Sequence, residues 1–156
     1  MELYLLRHAE AEDDPSNDEQ RALTTKGEKQ AKNVGKFCQN HSIIPEMILS
    51  SPLRRAQETA QVFARELDLP KVVQLEAFLR PGMTAERAFS GLEKYLEKAS
   101  ILLVGHEPDF SKLAGSLVGT QAENIHFRKA TLMSVNLPEM KSGAGTIEFL
   151  IPVRCL

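Results

Sequence analysis

Short apolar runs alternate with segments of helical spacing along nearly the whole chain, and this alternation most limits the folds open to it. The clearest run, Ile101-Leu102-Leu103-Val104, carries no polar residue, as expected of a strand covered on both faces. Residues 2–6, 47–49 and 72–75 read as further strands. The segments between them have recognisable helix starts. Thr25-Lys26-Gly27-Glu28 has capping-box form, with Ala31, Val34 and Cys38 following on one face. Ser51 is placed to cap a helix whose first residue is Pro52, with Leu53, Ala56, Ala60, Phe63 and Leu67 as its buried stripe. Thr84 opens a third helix with Ala88, Leu92 and Leu96 inward, and residues 110–118 form a fourth with Phe110, Leu113, Ala114 and Leu117 on one side. Residues 131–137 and 146–151 follow as strands with a Gly-rich turn at 142–145 and no helix between them, so they are expected to pair as an antiparallel hairpin. Residues 9–23, acidic and rich in Asp, Asn and Ser, read as a surface loop. Together these features predict an α/β fold, a three-layer αβα arrangement around a mostly parallel, mixed sheet.

Length and composition narrow the function classes. At 156 residues, with no repeat or linker, the chain is expected to form one domain over 1–156. The apolar fraction of 42% and charged fraction of 26% argue against disorder, and the apolar runs are too short to span a bilayer. Met1-Glu2-Leu3 lacks the basic and long apolar segments of a secretory signal, so a cytoplasmic protein with no membrane partner is expected. A net charge of −2 argues against nucleic acid as a partner while leaving room for a local basic pocket. Cys38 and Cys155 are too few for a disulfide scaffold, and neither is followed by arginine six positions later, which removes the C-x5-R phosphatase signature. There is no G-x4-G-K-[ST] loop and no G-x-G-x-x-G.

Ligands of open α/β sheets bind beyond the carboxyl ends of the strands. Three predicted strands run into polar residues there: the first into Arg7-His8, the second through Ser50-Ser51-Pro52 to Arg54, and the apolar strand into Gly105-His106. Two histidines and two arginines are therefore expected to converge on one edge of the sheet. Arg54, with Arg55 beside it, lies in the first turn of a helix, where the macrodipole disfavours cations. A bound anion resolves that conflict, although two arginines extended into solvent would also be unremarkable.

These residues carry a family resemblance. Leu6-Arg7-His8-Ala9 resembles the Arg-His-Gly signature of the histidine phosphatase, or phosphoglycerate mutase-like, superfamily, with Ala9 in place of the usual glycine. Residues 50–60, Ser-Ser-Pro-Leu-Arg-Arg-Ala-Gln-Glu-Thr-Ala, are similar to its second block, and Val104-Gly105-His106-Glu107-Pro108 to its third. The short chain and Arg21-Ala22-Leu23-Thr24-Thr25-Lys26-Gly27 are similar to the phosphohistidine phosphatase SixA group. The resemblance implies a minimal phosphoglycerate mutase-like fold without large insertions. It implies His8 as a nucleophile that briefly carries the phosphoryl group, Arg7 and Arg54 as the arginines on the phosphoryl oxygens, His106 as a hydrogen-bond donor to the transferring group, and Arg21 as an additional pocket arginine.

The physical chemistry of phosphoryl transfer suits such a set, because positioning and charge stabilisation dominate and guanidinium groups supply them without magnesium; no cofactor or metal is expected. A phosphohistidine substrate brings a second ring nitrogen that can be protonated before departure. An ester needs a dedicated acid, for which Asp18 and Glu19 are the first candidates and Glu76 and Glu107 weaker ones. The expected substrate is a phosphohistidine on a signalling protein, with a small phosphate ester as the alternative. A metal site from His8, Glu10, His106 and Asp109 has no supporting spacing, and a non-catalytic anion-binding module would not need both histidines. His41 and His126 are isolated.

Overall fold

The computed structural model describes residues 1–14, 16–69 and 73–156; residue 72, the first of the strand expected at 72–75, lies outside them. Strands β1 (Glu2–Arg7), β2 (Met47–Ser50), β3 (Val73–Leu75), β4 (Ser100–Gly105), β5 (Leu132–Asn136) and β6 (Thr146–Ile151) form a six-stranded sheet in the order β3-β2-β4-β1-β5-β6. The pairs β1–β4, β2–β4 and β2–β3 are parallel, whereas β5 is antiparallel to both β1 and β6. The hairpin expected at the end of the chain therefore forms, and it continues the sheet beyond β1.

Side-chain alternation along the strands divides the interior in two. Leu3, Leu5, Ile101 and Leu103 join the core beneath helices α3 (Ala85–Leu92) and α4 (Asp109–Val118), where Phe110, Leu113 and Leu117 pack. Tyr4, Leu6, Leu102 and Val104 join the core beneath α1 (Thr25–Asn40) and α2 (Arg54–Glu66), around Ala31, Val34, Ala60 and Phe63. The chain is a three-layer αβα protein with a mixed sheet. Among the described residues no helix is long and apolar enough to cross a membrane.

Local chemistry moves several boundaries from where the sequence placed them. The first helix is capped by Thr24, whose side chain accepts from the Gly27 amide at 3.0 Å; Thr25 is its first helical residue. Gly27 is needed there, since a Cβ would lie 1.9 Å from the Glu10 carbonyl oxygen. That close approach ties the helix start to the segment that follows His8. Helix α2 begins at Arg54 rather than Pro52, with Leu53 at its cap position and no side-chain cap. The third helix gives way to a 3-10 turn at Glu93–Tyr95, which turns Tyr95 inward and leaves Leu96 exposed, not buried as its spacing suggested. The segment 9–23 is not wholly superficial: Ala9, Ala11 and Leu23 are buried, Ala11 bridges Leu23, and a 3-10 turn forms at Asp18–Gln20.

Topology creates a crevice. The connection leaving β1 passes to the face covered by α1, and the connection leaving β4 passes to the opposite face, under α4. Adjacent parallel strands whose connections part in this way open a cleft at their carboxyl ends. His8 and His106 are the residues that follow β1 and β4.

Candidate active site

His8 leaves β1 with its backbone still in sheet register, its amide donating to the Gly105 carbonyl at 2.9 Å. Its side chain is buried. The ring Nδ1 lies 2.7 Å from the Ala9 carbonyl oxygen, which accepts but cannot donate, so Nδ1 carries the proton and Nε2 holds the lone pair. The Ala9 amide donates to Thr59 Oγ1 at 3.0 Å, and the Thr59 hydroxyl donates to the Arg55 carbonyl at 2.7 Å. This fastens the turn after the nucleophile candidate to α2. Ala9 is not among the positive-φ residues, so alanine fits where the family usually has glycine.

The His106 ring stands 5.3 Å from that of His8, centroid to centroid. Its Nε2 is 2.8 Å from Ser51 Oγ, an oxygen that also accepts from the Leu53 amide at 3.3 Å. Ser51, expected as a helix cap, thus serves a histidine instead. A serine hydroxyl that donates to Nε2 leaves the His106 proton on Nδ1, an atom that is buried and has no partner among the described residues. Burial pushes the His8 pKa down to about 3, against the raising effect of the Ala9 carbonyl and helped by the charges of His106, Arg55 and Arg7. Burial likewise lowers His106 to about 4, with Arg55 and Arg7 adding to the effect and Asp18 opposing it. Both imidazoles are neutral at pH 7, and the fixed positive charge of the site comes from arginine.

The arginine assignment needs a correction. Arg54 points outward, its side chain 49% exposed, and pairs with Glu58 one turn along at 2.7 Å. Arg55 is the one turned inward, its side chain 7% exposed, and its charge reaches both histidines. The periodicity of α2 explains this and could have revealed it. Arg54 and Glu58 share the solvated face as an i,i+4 pair, whereas Arg55 shares a face with the buried Thr59. Arg55 donates to the Asp18 carbonyl at 2.7 Å and to its carboxylate at 3.2 Å, and its Nε is buried without a partner among the described residues. Arg7 donates to the Phe127 carbonyl at 2.8 Å, and its Nε too is buried and unpaired among the described residues. Burial lowers the Arg7 pKa. The Nε groups of both arginines and His106 Nδ1 are thus three buried nitrogens with no hydrogen-bond partner among the described residues.

Arg21 reaches this set indirectly, pairing with Asp18 at 2.9 Å and with the Glu12 carbonyl at 2.5 Å. The four acid candidates are all engaged. Asp18 is held below the usual carboxylate range, first by its hydrogen bond from Arg21 and also by Arg55. Glu19 pairs with Arg80 at 2.6 Å. Glu76 is buried, bound by Tyr95, Gln74 and Lys94, and Glu107 accepts from Ser111 and from the Phe127 amide at 3.1 Å. The alternative set of metal ligands does not assemble: Glu10 binds Lys26 and Thr24, and Asp109 accepts from the Gly82 and Met83 amides. Among the described residues no three His, Cys, Asp or Glu side chains come together to hold a metal ion.

Comparison with known proteins identifies the family and the fold. Residues 3–80 match the model of the histidine phosphatase superfamily (branch 1). A phosphohistidine phosphatase SixA homolog of Haemophilus influenzae is 31% identical over 141 residues, covering 85% of each chain. The chain belongs to the histidine phosphatase superfamily, within its SixA group. A solved structure of the histidine phosphatase SixA complexed with tungstate superposes with a TM-score of 0.90 at 25% identity, covering 99% of both chains. The alpha-ribazole phosphatase of Shigella flexneri has the same fold, with a TM-score of 0.79 at 20% identity over 98% of this chain and 97% of that one. The histidine phosphatase fold found here is thus close to the minimal version that the sequence suggested.

Proposed function

We propose that this histidine phosphatase removes the phosphoryl group from phosphohistidine on a signalling protein, through a phosphohistidine intermediate on His8. The observation that carries the reading is the His8 tautomer: with Nδ1–H held by the Ala9 carbonyl, Nε2 offers its lone pair to the cleft beside His106 and two guanidinium groups. In the first step Nε2 forms a bond to phosphorus as the bond to the substrate nitrogen breaks. The substrate imidazole, already protonated on its other nitrogen, leaves neutral. In the second, water forms the new P–O bond, the Nε2–P bond breaks, and orthophosphate leaves with the protons of the water. The proton stays on Nδ1 throughout, donated to the Ala9 carbonyl, so His8 is released from phosphorus as a neutral imidazole. Arg7, Arg55 and the Nδ1–H of His106 are the groups proposed to hold the equatorial oxygens. The uncapped first turn of α2 adds positive potential.

A small phosphate ester is disfavoured by the state of the acids. An alkoxide needs a proton donor, and Asp18, Glu19, Glu76 and Glu107 are each tied up by cations, hydroxyls or amides. The test is a substrate panel run in EDTA: a phosphohistidine-bearing protein, an aryl phosphate and a sugar phosphate. The expected result is the highest kcat/KM on phosphohistidine, with an acid-labile, base-stable phosphoryl adduct trapped on His8 by rapid quench. Faster turnover of either ester overturns the substrate. Single-turnover hydrolysis without the adduct overturns the mechanism.

A further inference from the structure

The two flanks of the His8 cleft differ in charge. Toward β2 and β3, every cation has a carboxylate partner: Arg21 and Arg55 share Asp18, Arg54 pairs with Glu58 and Arg80 with Glu19. Toward β5 and β6, a groove of ≈ 310 Å³ is lined by Lys26, Arg128, Lys129 and Arg154 against a single carboxylate, Glu10. Glu10 is paired with Lys26, and among the described residues Arg128, Lys129 and Arg154 form no ion pair. This concentration stands out on a chain whose net charge is −2.

Sheet topology puts the groove beside the chemistry. Since β5 runs antiparallel to β1, the start of β5 lies at the carboxyl end of β1, and Lys129 just precedes it. Since β6 is antiparallel to β5, its carboxyl end returns to the same edge and delivers Arg154. The start of α1 brings Lys26 there as well, fixed by the Gly27 contact with Glu10. The Ala130 amide donates to the carbonyls of Arg7 and His8, at 3.2 and 3.3 Å, so the basic loop is fastened to the backbone of the nucleophile itself.

We propose that this groove is the docking surface for an acidic face of the protein whose phosphohistidine enters the cleft, an inference that rests on the substrate class proposed above. Open clefts walled by long cations do not enclose a metabolite, whereas ligand pockets are mostly apolar. A long polyanion such as nucleic acid would meet Asp18 and Glu19 on the far flank, while a compact partner needs to present negative charge only on the β6 side. Such complementarity fixes the docking orientation and speeds encounter.

The test uses the triple variant Arg128→Glu/Lys129→Glu/Arg154→Glu and two substrates: an acidic helical phosphotransfer domain carrying phosphohistidine, and free phosphohistidine. For the domain, kcat/KM is expected to fall about 30-fold or more and to lose its dependence on salt, while free phosphohistidine is turned over within about twofold of wild type. Binding of the unphosphorylated domain, followed by fluorescence anisotropy, is expected to weaken in parallel. Unchanged binding and turnover of the domain overturn the docking surface. So does an equal loss on both substrates, which would make the groove part of the phosphoryl pocket. Tighter, salt-sensitive binding of heparin than of the domain would assign the surface to general polyanions and also overturn it. Failure of the substrate class reads differently: the wild-type protein binds the domain through the groove but leaves its phosphate in place.

Discussion

The floor of the cleft and its β2–β3 rim contain the same kinds of residue in opposite conditions. On the rim, Asp18, Glu19, Arg54 and Arg80 are exposed, Arg21 and Glu58 are half-buried, and all six pair with one another. On the floor, His8, His106 and Arg55 are buried, Arg7 is half-buried, and the Nε atoms of both arginines and Nδ1 of His106 have no partner among the described residues. An unsatisfied buried donor costs about 1–3 kcal/mol. Exposed ion pairs contribute about 0–1 kcal/mol. The floor is therefore where the fold tolerates a cost that a phosphoryl anion would relieve, and the rim is where charge has been disposed of cheaply.

The largest expected effect comes from the floor. His8→Ala is expected to lower kcat by about 10⁴-fold or more, the scale of removing a nucleophile, while leaving the fold intact by circular dichroism. Near wild-type turnover in that variant would remove the reason for treating floor and rim differently. Next come the two neighbouring arginines. Arg55→Ala is expected to cost about 10²–10³-fold in kcat/KM, as loss of a preorganised charge-stabilising donor does. Arg54→Ala should stay within about threefold, since it removes an exposed pair. Orthophosphate or tungstate should raise the Tm of wild type and Arg54→Ala but not of Arg55→Ala. The reverse pattern would return the pocket role to Arg54.

That pair of arginines also shows what the sequence could and could not tell. The strand-and-helix alternation was legible because each strand is short and apolar and each helix has a visible stripe. His8 and His106 were legible because they follow apolar strands directly. Arg55 was not, because following the chain from the strand end stops at the first arginine reached, and only the Arg54–Glu58 spacing separates the two faces of α2. Ser51 escaped for a different reason. A serine before a helix reads as a cap, and its partnership with His106 spans 55 positions, which no local pattern records. Leu96 read as buried because a helical stripe says nothing of where the helix tightens into a 3-10 turn.

Ser51→Ala sharpens the comparison at a smaller scale. It removes the hydroxyl hydrogen-bonded to His106 Nε2, and losing one such hydrogen bond, about 1–1.5 kcal/mol, corresponds to roughly tenfold in kcat. Ser51→Thr should recover most of it, which a merely structural role would not require. The pH dependence of stability tests the floor independently. Both histidines have folded pKa values depressed below the ordinary 6.5, to about 3 and about 4. Between about pH 6.5 and 4 the unfolded chain therefore binds protons that the folded one does not, and stability falls as pH falls through that window. Above pH 6.5 their contribution is flat. A urea titration series should show this slope shrinking in His106→Asn, and an unchanged slope would mean that these rings are not the groups responsible.

The smallest effect is expected on the rim, and there it has the most to decide. Glu19→Gln breaks an exposed pair with Arg80, so stability should change by less than about 1 kcal/mol. Turnover of phosphohistidine should stay within about twofold, because the departing imidazole carries its own proton and asks nothing of a rim carboxylate. Aryl phosphate turnover in the same variant is the sharper reading. If Glu19 leaves Arg80 to protonate an alkoxide or phenoxide, ester hydrolysis drops by about tenfold or more, within the usual range of general acid catalysis or just below it. The rim would then be a second piece of catalytic machinery, selected by the leaving group. If ester hydrolysis is slow in both proteins and equally slow, the rim is charge disposal, and the chemistry belongs to the floor alone.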